Sequence, residues 1–297
     1  MNAERTPDMQ PARASRHIYV WDRLVLQLAF GIKNARHRHF GAFLLLAPDA
    51  PIEIRVDDYP RVVSCAALVA PYAWHQLDAS NSRVATLLLG PDHPWFGYVT
   101  PILDGAPVIP FPLSSIAAGV DWNHLFDGET ECASVVAFIE RTLASLSSTA
   151  FKPHALDPRT AAAVQLLNQP GGAALSPATL AHHVGLSRVA LMRRFKRDLG
   201  VRIREYALWR RLLNVLPLID SQRTLTEIAQ LAGFYDQAHL TRTSRRMFDL
   251  PPSTVSGVGR ARIHVCDHGQ GAVERLLIPQ PARGVRKSKR RPSQWVH

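Results

Sequence analysis

The chain has 297 residues, of which 46% are hydrophobic and 20% charged, and a net charge of +11. That length accommodates two domains with separate cores. The charge is uneven: residues 1–169 carry 13 Lys+Arg against 16 Asp+Glu, residues 170–256 carry 13 against 6, and residues 257–297 carry 9 against 2. A polyanionic partner therefore suits the second half alone. Cys65, Cys132 and Cys266 are odd in number and scattered, which argues against a disulfide framework and a CxxC metal site. The polar stretch 1–16 lacks the apolar segment of a signal peptide, and the longest apolar runs, such as Phe43–Ala47, are too short to span a bilayer. The expectation is a soluble, cytoplasmic protein with no membrane partner.

Residues 1–16, rich in Pro, Ala and Arg, read as a disordered lead-in to a first domain over 17–146. Ile52, Ile54 and Val56 alternate with Glu53 and Arg55, a strand of period two between the turns Pro48–Pro51 and Asp57–Pro60. Leu24–Phe30, Phe43–Ala47, Val62–Val69 and Val84–Leu89 are further strands, and short strands at this spacing predict a small barrel or sandwich. Residues 91–128 are punctuated by Pro and Gly and predict no clear element. From Glu131 to Leu146 the period becomes helical, with Val135, Phe138, Ile139 and Leu143 on one apolar face. That stripe needs covering, by its own barrel or by a second copy in a homodimer. Residues 147–156 read as a linker, and 257–297, containing Arg286-Lys287-Ser288-Lys289-Arg290-Arg291, as a basic disordered tail.

Between linker and tail, residues 157–256 predict an all-α domain. Asp157-Pro158 caps its first helix, which ends near Gly171-Gly172. Ser176-Pro177 then opens a helix containing Leu180-Ala181, followed by Gly185, Ser187 and a second helix with Leu191 and Phe195 on its inner face. The pattern repeats from the capping box Thr224/Glu227 through Ile228-Ala229 and Gly233-Phe234 to a helix beginning near Gln237. Small Ala181 and Ala229 permit close helix crossing, and Gly185 and Gly233 fall where the turn requires positive φ. Residues 199–218 supply a joining helix, with a kink expected at Pro217. Two helix-turn-helix units at matching spacing predict a reader of double-stranded DNA. Arg188, Val189, Met192 and Arg193 face outward, with Arg193 assigned to a base edge, and Arg188 and Lys196 to phosphates.

Leu180-Ala181, Gly185, Leu191, Arg194-Phe195, Gly200, Tyr206, Arg211-Leu212, Ile228-Ala229, Gly233-Phe234, Leu240, Arg242 and Pro252 resemble, in order, the DNA-binding domain of the AraC/XylS transcription regulators. The resemblance implies Gln237, Ala238, Thr241 and Arg242 as groove-facing positions of the second unit, with Arg242 alternatively a buried structural arginine. It also implies RNA polymerase as a partner. Ser244 departs from the pattern where an aromatic is common, and Tyr235 where a capping Ser is common, leaving Asp236 as the cap.

The N-terminal region more distantly resembles the cupin-like sensing domains attached to such regulators, through Gly31, His37-Arg38-His39 and Pro71-Tyr72-Ala73-Trp74-His75. The predicted architecture is therefore a two-domain α+β chain: a cupin-like β-barrel plus helix, then an all-α domain of two joined helix-turn-helix units. His37 and His39 point to one side of a strand, and with Trp74 and His75 they are candidate effector contacts, or else satisfied core residues; the three histidines could alternatively converge on a metal. No metal or other cofactor is expected, because Phe43 and Leu44 stand where a metal-binding carboxylate would follow. No nucleophile, base and orienting group occur together, so no catalytic residue is assigned. The expected function is sequence-specific transcription regulation in response to a small-molecule effector. The alternative is a cupin metalloenzyme with an accessory DNA-binding domain.

Overall fold

The computed structural model describes residues 16–21, 23–93, 95–146, 156–219, 221–248, 251–254 and 261–266. All but the last residue of the expected lead-in, most of the linker and most of the basic tail lie outside them. The first domain contains β1 (His17–Trp21), β2 (Leu24–Lys33), β3 (Ala42–Leu46), β4 (Ile52–Val56), β5 (Val62–Ser64), β6 (Ala66–Val69) and β7 (His75–Leu89). There follow α1 (Phe96–Ile102), β8 (Val108–Phe111), α2 (Leu113–Ile116), α3 (Trp122–Phe126) and α4 (Cys132–Leu146). The short elements between 96 and 126 escaped the sequence reading because none is long enough to show a period.

The strands form an open path in the order β8-β6-β3-β7-β2-β1-β9, with β4 pairing β5 and β7 off that path. The sheet does not close, so an open sheet stands in place of the expected barrel. The reason is visible at Cys65, where the predicted single strand Val62–Val69 divides: β5 pairs with β4, whereas β6 pairs with β3 and β8. The 15-residue β7 spans both regions, pairing β2, β3 and β4.

β3 is buried at every position, which explains its unbroken apolar run. One sheet face, including Leu26, Leu44, Leu68 and Leu87, packs under the helices. Val135, Phe138, Ile139 and Leu143 of α4 belong to this cluster, and Trp122 meets Phe138 edge-on at 5.9 Å. The stripe offered as a dimer contact is thus covered by its own sheet. The other face, including Phe43, Leu45, Ala67 and Val69, continues into the helical domain as one apolar cluster.

That domain comprises α5 (Pro158–Asn168), α6 (Pro177–His183), α7 (Arg188–Leu199), α8 (Ile203–Val215), α9 (Leu225–Leu231) and α10 (Gln237–Phe248). The expected caps are in place: Asp157, Ser176 and Ser187 accept backbone N–H bonds, and Thr224 with Glu227 forms a capping box. Gly185 and Gly233 adopt φ of +63° and +84°. α8 stops before Pro217, and residues 216–218 tighten into a 3₁₀ turn. Ser244 is buried where the resemblance leads one to expect an aromatic, beside buried Met247.

Within the stretch read as a tail, β9 (Arg262–Val265) pairs in parallel with β1. It is the only regular element among the described residues beyond 254. Cys266 just after it is bonded to Cys132 at the start of α4, with Cα atoms 5.6 Å apart. The sequence reading missed this disulfide because the cysteines are 134 residues apart and only the β9–β1 pairing makes them neighbours. Among the described residues no helix is long and apolar enough to cross a membrane.

Candidate functional site

Two surfaces carry chemistry. The first is formed by α7 and α10, the second helix of each unit. Leu191, Phe195 and Leu199 anchor α7 to the domain core, as Leu240 and Met247 anchor α10. Arg188 and Arg193 are exposed, and Val189 is 69% and Met192 44% exposed. Exposed apolar side chains in a helix this well anchored are not spare core residues. On α10, Gln237, Ala238 and Arg242 are exposed and Thr241 half-buried, which removes the alternative of a buried structural Arg242. Asp236 caps α10 by accepting from His239 N at 2.6 Å. Tyr235 beside it is 88% exposed.

Lys196, the other residue assigned to a phosphate, is exposed. It lies in the last turn of α7, donates to the Gly200 carbonyl, and sits 5.0 Å from the centroid of the Tyr72 ring. Tyr72, held at a φ of +63°, reaches from the first domain and donates to Glu205 Oε2 at 3.3 Å. A second junction is buried. Tyr206 Oη donates to Asp92 Oδ2 at 2.7 Å, and Asn168 Nδ2 donates to the same oxygen at 3.3 Å. Burial, then the Asp92 charge, push the Tyr206 hydroxyl well above its ordinary pKa, keeping it a donor. The pairings at these junctions leave no sequence signal, because each joins residues far apart along the chain.

The second surface is a cavity of about 120 Å³ where the two domains meet. Its sheet side includes Ile32, His37, His39, Phe43, Leu45, His75 and Leu77, and its helical side Leu212, Leu216, Leu240, Ser244 and Phe248. The three candidate histidines therefore do converge. His37 and His75 are joined by an isolated antiparallel bridge, and their ring centroids are 4.5 Å apart. His39 lies 4.7 Å from His37 and 5.6 Å from His75. Burial, then the neighbouring histidines, hold His39 well below its ordinary pKa. Burial likewise lowers His75 to about 4. Both imidazoles are thus neutral near pH 7. Trp74, by contrast, is absent from the lining. Alternation along the two chain segments turns it outward, where Arg36 and Arg38 stack over its ring at 4.2 and 4.7 Å.

Comparison with known proteins follows the same division. A family model described as a helix-turn-helix domain matches residues 180–257. An AraC-type DNA-binding-domain transcriptional regulator from Chromobacterium violaceum is 30% identical over 32% of this chain and 87% of its own, with a TM-score of 0.30. Apo ToxT from Vibrio cholerae, in a variant form, is 11% identical over 78% of this chain and 96% of its own, with a TM-score of 0.52. Wild-type ToxT bound to an unsaturated fatty acid is 12% identical over 81% of this chain and 98% of its own, with a TM-score of 0.50. The ToxT likeness extends to the two-domain arrangement of sheet-rich and helical parts. No protein of curated function matches the chain.

Proposed function

The chain belongs to the AraC/XylS family of transcription regulators, and from that premise we propose that it reads a specific duplex operator with α7 and α10 and answers to a small molecule held at the domain junction. The observation that carries the DNA reading is the pair of anchored helices, each with an exposed face. Arg193 is assigned to a base edge and Arg188 to phosphate on α7. Gln237, Ala238, Thr241 and Arg242 read the second groove, with Tyr235 beside them. The +7 net charge of residues 170–256 supplies the sequence-independent attraction.

The cavity is the effector site in this reading. His37, His39 and His75 provide its polar end and the Phe and Leu side chains its walls; Trp74 supports the loop from outside. A mostly apolar ligand fits that lining, and the fatty acid bound by the similarly folded ToxT supports the same character. Because the walls come from both domains, ligand affinity depends on how the domains meet. A ligand that favours one arrangement then biases DNA binding. The division at 147–156, a homodimer on DNA through a surface other than the α4 stripe, RNA polymerase as partner and a cytoplasmic location complete the reading.

Selecting bound duplexes from a random pool with the full-length protein tests it. The expected result is an enriched motif with two contact regions about 10 base pairs apart. Arg193→Ala should relax one position at a cost of about 1–3 kcal/mol, with binding to random duplex unchanged. Binding without any enriched motif would reduce the protein to charge-driven attachment and overturn the proposal.

A further inference from the structure

The histidine cluster carries more than an effector's polar end. His37, His39 and His75 are all buried, and one ligand-capable atom from each lies within 4.8 Å of the others. His37 Nδ1 is 2.8 Å from the Ala35 carbonyl oxygen, and His75 Nδ1 is 2.9 Å from that of Ala73. A carbonyl oxygen only accepts, so Nδ1 carries the proton in both rings and Nε2 is the lone-pair nitrogen. Such bonds orient an imidazole for ligation and fix its tautomer. The backbone makes the arrangement deliberate: residues 37 and 39 face inward, 36 and 38 outward, and the His37–His75 bridge brings the third ring to the first two.

We propose that His37, His39 and His75 bind one divalent transition-metal ion of the imidazole-preferring class, such as zinc, nickel, copper or iron, in the wall of the cavity between the domains. Among the described residues no carboxylate lines the cavity, and three imidazoles suit these metals better than the oxygen-seeking magnesium and calcium. Three protein ligands leave a further position for water or a ligand atom, and the cavity supplies room for it. The inference departs from the sequence expectation of no metal, which rested on the carboxylate missing at Phe43 and Leu44. Three converging nitrogens do not need that carboxylate. His39 also lies 5.5 Å from the Phe248 ring on α10, so the ion would sit against the second DNA-reading unit. Only that regulatory consequence rests on the effector reading; binding of the ion does not.

The test uses tag-free, full-length protein stripped with chelator and titrated with Co²⁺, followed by Zn²⁺ competition and X-ray absorption at the metal edge. One ion per chain, held by three imidazoles and no sulfur, is expected. His37→Asn and His75→Asn should each weaken Co²⁺ binding at least about tenfold, and His264→Ala, on the separate His17–His264 pair, should leave it unchanged. Absence of stoichiometric binding would overturn the proposal. So would a sulfur ligand, or binding lost with His264→Ala and retained in both Asn variants. If the Asn variants do not fold, the ligand identity in the parent protein decides. Loss of the metal claim with the operator motif intact would leave the regulator reading standing.

Discussion

Substituting Tyr206 by Phe removes one oxygen from the junction between the domains and leaves the ring in place. The hydroxyl lies 2.7 Å from Asp92 Oδ2, to which it donates, and 2.9 Å from Asn168 Oδ1. Asp92 has a side chain only 2% exposed, and its remaining contacts from Asn168 at 3.3 Å and Arg23 at 3.4 Å are long. A hydrogen bond to a charged acceptor contributes about 1.5–3 kcal/mol, so Tyr206→Phe should cost about 2 kcal/mol, a roughly 30-fold change in an equilibrium constant. Asp92→Ala should cost more, since it also frees Asn168 and Arg23. The assay is a double-mutant cycle in equilibrium urea unfolding of the full-length chain. A coupling energy of about 1.5–3 kcal/mol between the two positions is expected. Coupling within about 0.5 kcal/mol of zero would show that the hydroxyl and the carboxylate act independently, and the buried junction argued above would fail.

Phe138→Glu should unfold the first domain rather than release a folded monomer, because a charge placed beneath the sheet has no partner; a folded variant by circular dichroism would contradict this. Cys266→Ser, or a reductant, should free β9 and lower stability by up to about 5 kcal/mol on a chain-entropy estimate. Hydrogen exchange at 262–265 checks the release, and unchanged protection would refute it. Gly172→Ala should be far more damaging than Gly185→Ala, as read by thermal melts. A Cβ at 172 would fall 1.8 Å from the Leu166 carbonyl oxygen, whereas one at 185 meets nothing within 4 Å and costs only the strain of positive φ, about 1–2 kcal/mol.

The DNA-reading half was legible because its signals are local. Caps at Ser176 and Thr224, small Ala181 and Ala229, and the glycines at 185 and 233 each act within a few residues, and all occupy the predicted places. The strands from Leu24 to Leu89 were legible as elements, yet the barrel was not there, since nothing in Val62–Val69 announces that β5 and β6 join different neighbours. Convergence of His37, His39 and His75 was foreseeable from alternation and a shared strand mouth. Trp74 was misplaced by the same reasoning: it precedes His75 by one residue, so it must face the other way. The pairings of Asp92, Tyr72 and Tyr206 were invisible, because a long-range hydrogen bond leaves no periodic trace.

The return of β9 to β1 has a mechanical meaning. The chain leaves the sheet-bearing domain after α4, builds the whole helical domain, and comes back to be riveted to the start of α4 through Cys132–Cys266. A domain tethered at one end swings about a point in any direction; a domain pinned at entry and exit has a single axle. With β9 and Cys266 both held by the sheet-bearing domain, the freedom of the helical domain would be narrowed. Cutting the rivet by reduction would widen that freedom, which would thus follow the oxidation state of two cysteines outside both helix-turn-helix units.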